Sequence, residues 1–298
     1  MRTCGELDTT PALAWVEGVV GPVTAVRELA GGWTSTMLAL TTVRGDQVVL
    51  RLMTEEPWRT HGAGLTARES DIQRMLADTA VPAPRTVALD ADGRRCGHPA
   101  HLMTMLPGRV DVDRVDAASL GELADVLVAV HAVPPDPSVR TYQSWAWEAK
   151  YEVPGWASDP GPWREAFDLL RTEAPAYRPC FLHRDFQPRN VLWSGGRISG
   201  VVDWVETSLG PAWLDVAHCA TNLAIVHGND AAERFATAYT DRTGRAAEPY
   251  VEVMDVVGFL PPPGKAGFFN DAGPENRRLE DRLRSVLPGT RRSPGRAH

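Results

Sequence analysis

Between Phe181 and Trp204 the chain reads His183-Arg184-Asp185-Phe186-Gln187-Pro188-Arg189-Asn190, then apolar Val191-Leu192-Trp193, a Gly195-Gly196 pair, and Val201-Val202-Asp203-Trp204. The order is a polar loop, a strand, a tight turn and a returning strand that ends in a carboxylate. Pairing of the two strands sets the start of one beside the end of the other, which predicts that Asn190 and Asp203 face one site. The chain therefore has to fold around a hairpin that carries Asp185, Asn190 and Asp203.

Upstream, residues 23 to 53 read as three short strands: a run ending near Leu29, a second over Met37 to Thr42, and Val48-Val49-Leu50. Ala30-Gly31-Gly32 and Arg44-Gly45-Asp46 separate them, as in an antiparallel meander. Leu65, Ile72, Met75 and Leu76 recur at helical spacing before Val81-Pro82, and residues 84–90 and 101–106 read as two further strands around Asp92-Gly93. The sum is a five-stranded sheet with one helix. After Gly108 the pattern turns helical, over Leu120 to Val133 and then 163–173, 213–227, 230–243 and 275–287. The stretch from Pro134 to about Pro162, rich in Pro, Trp and Gly, is expected to wall a pocket or to form an irregular surface segment. With 298 residues the expected organisation is a domain over 1–107, a second over 108–288 and a disordered tail over 289–298.

Hard oxygen ligands on a loop can hold Mg²⁺ while leaving it positions for phosphate, which suits Asn190 and Asp203. A carboxylate five residues before the Asn can accept or orient the proton of an attacking hydroxyl, the part assigned to Asp185. Phosphoryl transfer needs such groups because catalysis there is positioning and neutralisation of spread charge. The H-x-D-x-x-x-x-N loop followed by an apolar pair and Asp resembles the catalytic and metal-binding segments of protein kinases. Phe186-Gln187-Pro188, Asp203-Trp204 and the later Leu214-Asp215-Val216-Ala217 look more like the aminoglycoside phosphotransferase and choline kinase superfamily, over roughly residues 25 to 260.

That resemblance implies an α+β, bilobal, protein-kinase-like fold: a small antiparallel-sheet lobe with one main helix that binds nucleotide, and a larger, mostly helical lobe that carries catalysis and the acceptor. It implies that Asp215 accepts backbone N–H groups of the catalytic loop and that His183 orders that loop. It places Gly31, Gly32, Thr34 and Ser35 in a loop over the phosphates, although the full G-x-G-x-x-G is lacking. Arg51 stands where kinases usually carry Lys and would take Glu69 as its partner. Thr104 and Leu106, in the link between lobes, are the expected adenine-binding positions. Arg184 and Arg189 are expected on a solvated or salt-bridged surface.

The implied activity is transfer of the γ-phosphate of ATP or GTP, with Mg²⁺, to a hydroxyl of a small molecule, an aminoglycoside or other antibiotic among the candidates. Choline, homoserine and sugars are alternative acceptors, and a catalytically silent nucleotide-binding regulator is the alternative from another class. Val205, Glu206 and Gly210-Pro211-Ala212 depart from the Gly-Asp-Pro that many antibiotic kinases carry after the metal-binding Asp. The formal charge of −7 disfavours nucleic acid as a partner and suits a cationic acceptor, with Glu206, Trp145 and Trp156 as candidate contacts. No G-x-x-x-x-G-K-[ST] or G-x-S-x-G occurs, which disfavours the P-loop and serine-hydrolase readings. The expected state is a cytoplasmic monomer or homodimer, not in a membrane, with Cys4, Cys96, Cys180 and Cys219 reduced and partly buried.

Overall fold

A computed structural model describes residues 7–29, 35–267, 269–271 and 273–288. The chain divides into two compact units, Met1–Gly108 with Ser199–Val205, and Arg109–Ile198 with Glu206–His298. Gly31, Gly32 and Thr34 of the glycine loop, Cys4 and the tail 289–298 lie outside the described residues.

The first unit is built on helix α1 (Thr10–Val20), strands β1 (Val23–Glu28), β2 (Thr36–Thr42) and β3 (Gln47–Leu52), helix α2 (Trp58–Leu76), and strands β4 (Thr86–Asp90) and β5 (Ala100–Thr104). The sheet is antiparallel throughout, in the order β1-β2-β3-β5-β4. The period of two along a strand decides which residues go where. Leu38, Leu40, Val48, Leu50, Leu52, Ala100 and Leu102 form one buried face, packed with Ala12, Trp15 and Val16 of α1. On the alternate positions, His101 and Met103 meet Glu69 and Gln73 of α2. With both faces covered, β3 has no polar solvent face to display, and even Arg51 on it is buried.

The sheet of five strands agrees with the sequence reading; the single helix does not. Helix α1 adds a second, because its i, i+3, i+4 triplet of Ala12, Trp15 and Val16 has the apolar sheet face to bury against. Helix α2 also begins at Trp58 rather than Leu65. Gly62 lies within that extra stretch, and a Cβ there would come within 2.7 Å of Pro99 Cγ, so the glycine marks a close approach rather than a break.

The second unit comprises β6 (Arg109–Val110), α3 (Ala117–His131), α4 (Pro160–Leu170), β7 (Cys180–Leu182), β8 (Val191–Ser194), β9 (Arg197–Val201, whose last residues belong to the first unit), β10 (Ser208–Gly210), α5 (Trp213–His227), α6 (Asn229–Thr243), α7 (Pro249–Gly258) and α8 (Pro274–Val286). Helix α7, not expected from the sequence, packs with α5 and α8. Residues between α3 and α4 are irregular but tied down: Thr141 bridges Leu209, and Lys150 Nζ donates to Gly258 O at 2.7 Å. Ser158 N–H and Oγ donate to Glu280. Cys96, Cys180 and Cys219 are buried free thiols. No helix among the described residues is long and apolar enough to cross a membrane.

Candidate active site

In the first unit, β3 and α2 bring Arg51 and Glu69 together, and the segment after β9 adds Asp203. Arg51 Nη1 lies 3.2 Å from Glu69 Oε2 and 3.0 Å from Asp203 Oδ1. Arg51 is 7% exposed, so this charged strand residue is buried rather than solvated. Burial works against its charge, but the pull of Glu69 and Asp203 outweighs this and its pKa is raised. His101 Nδ1 meets the same Glu69 oxygen at 3.1 Å, and its Nε2 meets Thr86 Oγ1 at 2.9 Å. Asp203 has φ of 67°, in the left-handed region that disfavours a side chain, so local bonding must hold it there. Ser35 is buried. Thr104 Oγ1 accepts from Arg85 N–H, whereas the Leu106 N–H has no hydrogen-bond partner among the described residues.

In the second unit, strand β7 delivers the chain into His183-Arg184-Asp185 and α5 receives it. Asp215, in the first turn of α5, accepts both loop amides, from His183 N at 2.8 Å on Oδ2 and from Arg184 N at 2.7 Å on Oδ1. His131 Nε2 lies 3.2 Å from Asp215 Oδ2, and Tyr239 Oη lies 2.7 Å from the other ring nitrogen. Burial would raise the Asp215 pKa, but these bonds and the nearby His131 lower it. His183 Nδ1 accepts the Asp185 N–H at 3.2 Å. Asp185 is then clamped: Oδ1 accepts from Gln187 Nε2 at 2.7 Å and lies 2.9 Å from His218 Nε2, and Oδ2 accepts from Asn190 Nδ2 at 2.9 Å. Its pKa is lowered, with burial opposed by the hydrogen bond and charge of His218 and by His183 and Asn190. A carboxylate kept ionised in a loop can accept a proton.

His218 and its partner Asp255 were not singled out in the sequence. His218 Nδ1 lies 3.0 Å from Asp255 Oδ1, and both residues are buried. No local pattern marked His218, since its neighbours on the same face of α5 include polar Asp215, Thr221 and Asn222. Arg184 corrects the expectation of a surface residue: it is 2% exposed, with its guanidinium 3.7 Å from the centre of the Trp145 ring and Nη2 donating to Gln143 O at 3.2 Å. The Trp-rich segment supplies a π face on which a guanidinium can be buried. Arg189 is exposed. Among the candidate acceptor contacts, Trp145 is thus occupied by Arg184, and Trp156 packs edge-on to buried Trp163 at 5.5 Å. Glu206 forms an ion pair with Arg140.

The charge on His218 has a consequence for stability. Burial would lower its pKa, but Asp255 and Asp185 push it up to about 9 from an ordinary 6.5. A folded-state value above the unfolded one means stabilisation that is complete below pH 6.5 and is lost as pH rises through 9. Lys150 works in the opposite sense above pH 8, because burial lowers its pKa to about 8. We therefore expect the unfolding free energy to fall by about 2 kcal/mol between pH 6.5 and 8, at about 1.4 kcal/mol per unit. Denaturant titrations across that window measure it, and a profile as flat as that of His218→Gln would show that the folded ring is neutral.

Among the described residues no group of three or more His, Cys, Asp or Glu side chains is arranged to hold a metal ion. Mg²⁺ is commonly held by only one or two protein oxygens, with substrate phosphates and water completing the shell, and Asn190 of the second unit and Asp203 of the first each carry an oxygen of the kind it takes.

Residues 25–250 match the phosphotransferase enzyme family, APH. Among curated proteins, 60 residues are 32% identical to an aminoglycoside 3′-phosphotransferase of Enterococcus faecalis, spanning 20% of this chain and 23% of that one. A further 153 are 26% identical to an N-acetylmuramate/N-acetylglucosamine kinase of Pseudomonas aeruginosa, spanning 48% and 45%. The matched segments cover less than half of either relative. Among solved structures, a protein of Ralstonia eutropha JMP134 provisionally described as an aminoglycoside phosphotransferase aligns over 94% of this chain and 97% of its own, at 20% identity and a TM-score of 0.68. Aminoglycoside phosphotransferase APH(4)-Ia, in ternary complex with ADP and hygromycin B, aligns over 93% and 99% at 19% identity and a TM-score of 0.63. These likenesses share the mixed fold seen here, an antiparallel amino-terminal sheet with a helical carboxy-terminal part. Since the family match extends across both units, this chain belongs to the phosphotransferase enzyme family.

Proposed function

We propose that the chain transfers the γ-phosphate of ATP or GTP to a hydroxyl group of a small molecule. The observation that carries the proposal is the clamp on Asp185, a carboxylate held ionised by Gln187, Asn190 and His218. In this reading Asp185 takes the acceptor's proton, the acceptor oxygen attacks the γ-phosphorus, and the bond to the nucleoside diphosphate breaks. Asn190 and Asp203 are the candidate Mg²⁺ ligands, and the metal when bound would neutralise phosphate charge. Arg51, set by Glu69, lends a cation to the phosphates, and the Leu106 N–H is a candidate donor to the purine edge. His183 and Asp215 shape the loop. The first unit is then the nucleotide-binding one and the second the catalytic and acceptor-binding one. A silent nucleotide-binding regulator would have no use for a clamped, ionised Asp185.

The acceptor is proposed to be polyhydroxylated. Relatives named for aminoglycosides and for N-acetylated amino sugars support that class, and the acidic balance of the chain favours a cationic member of it. With MgATP or MgGTP at 100 times its dissociation constant, the melting temperature should rise by roughly 5–10 °C. ADP or GDP release is then followed with hygromycin B, streptomycin, N-acetylglucosamine, N-acetylmuramate, choline and homoserine. No thermal shift at millimolar nucleotide and magnesium, in protein shown to be folded, would overturn the proposal.

A further inference from the structure

Asp185 has more partners than a general base requires, and they are distributed unevenly between its two oxygens. An ionised carboxylate offers about four acceptor positions, two on each oxygen. Oδ1 is filled by Gln187 Nε2 and His218 Nε2. Oδ2 takes Asn190 Nδ2 and keeps one position open among the described residues. His218 cannot turn away from Oδ1 without losing its second bond, to Asp255 on α7. The ring is also stacked on Phe259, with centroids 5.6 Å apart and planes 17° apart, and meets Trp145 edge-on at 5.2 Å. Asn222 Nδ2 approaches Nε2 at 3.2 Å, but donates to the His218 carbonyl at 2.9 Å. Asp255 Oδ2 has no hydrogen-bond partner among the described residues, so the bond to His218, together with the charge of nearby Arg184, is what compensates the burial of that carboxylate.

We propose that His218, fixed by Asp255, is a positioning residue for the base: with Gln187 it occupies Asp185 Oδ1 and so leaves Oδ2 as the oxygen that receives the acceptor's proton. The inference rests on Asp185 being the base. The acceptor O–H bond breaks, its proton goes to Oδ2, the acceptor oxygen bonds to the γ-phosphorus, and the nucleoside diphosphate leaves with the bridging oxygen. His218 exchanges no proton in this step. It holds the carboxylate in one rotamer, which is otherwise free to present either oxygen.

Two measurements test the proposal. The first is ¹⁵N-histidine NMR of the whole chain without nucleotide. Both ring N–H groups of His218 should be visible at pH 7, and the Nε2–H signal should shift in Asp185→Asn while the Nδ1–H signal stays. A ring without a proton on Nε2 overturns the proposal, because it then donates nothing to Asp185. The second is kinetic, with MgATP and two probes, water as the acceptor and the most active member of the acceptor panel. His218→Phe keeps a ring between Trp145 and Phe259 but loses both donors, and kcat should fall about 10–100-fold, as when an orienting partner is removed from a site. The KM for MgATP should not change. His218→Gln, which can still reach Asp185 with an N–H, should recover part of the loss, and Asp255→Asn should fall in the same direction as His218→Phe. Wild-type kcat in His218→Phe overturns the proposal, as does an equal loss in the Phe and Gln variants accompanied by a raised KM, the mark of a merely structural residue. Asp185→Asn separates the two readings: if it is inactive while His218→Phe is not, the positioning role alone fails; if it is active, the assignment of the base fails and the positioning role with it.

Discussion

Asp185→Asn should lower turnover by roughly 10²–10⁴-fold, the range for loss of a positioned base, and leave nucleotide affinity nearly unchanged. The substitution keeps the shape of the side chain but removes its capacity to take a proton. Of its two amide atoms, the oxygen fits best where Gln187 and His218 donate, at the former Oδ1. The amide nitrogen then faces Asn190 Nδ2, and two donors meet where a bond had been. That mismatch costs about 1–3 kcal/mol of stability, so the variant should stay folded with a lower melting temperature. In the proposed reading nucleotide binding draws on Arg51 and Asp203, which pair with each other within the first unit. Single-turnover formation of ADP, set beside calorimetric nucleotide binding on the same preparation, measures both quantities. Wild-type turnover in Asp185→Asn would remove Asp185 from the role of base.

What could be read in the sequence was what local order determines. The loop from His183 to Asn190, the hairpin after it and the three-strand meander are each written in contiguous residues, as turn signals between apolar runs. Helix α5 was placed at 213–227, the bounds that it has in the fold. Helix α7 was missed because Val251, Val253, Val256 and Val257 read as strand formers; packing with α5 and α8, with Pro249 in its first turn, makes it helical. The clamp on Asp185 was only half legible. Gln187 and Asn190 lie in its own loop, but His218 is 33 residues away and Asp255 another 37, and no local pattern marks either. Burial was least legible of all. Arg184 sits in a polar run and looks exposed, and only the fold shows that Trp145 covers it. Arg51 presents the same problem, since a charged residue on a strand reads as a surface one until both faces of the sheet are known to be covered.

Arg51→Ala should therefore be the most destabilising of these substitutions, by about 3–5 kcal/mol, the range for removing one partner of a buried ion pair. The two carboxylates it leaves are not equivalent. The Asp203 side chain is 40% exposed and can be rehydrated, so it adds little. Glu69 is buried and retains His101 and the Trp204 backbone N–H as hydrogen-bond partners but loses its guanidinium, so most of the loss is the cost of a carboxylate left without its cation away from water. The melting temperature should drop by roughly 10 °C. Arg51→Lys should lose much less stability, because an ammonium still neutralises Glu69, although it cannot span Glu69 and Asp203 with a rigid fork. The decisive measurement is the double variant Arg51→Ala with Glu69→Gln. Removing the stranded charge together with its partner should restore part of the stability lost in Arg51→Ala alone, giving a coupling energy in the double-mutant cycle. If Arg51→Ala melts as the wild type does, or if adding Glu69→Gln only deepens the loss, then the ion pair does not hold α2 to the sheet, and Arg51 must be valued for its action on phosphate alone.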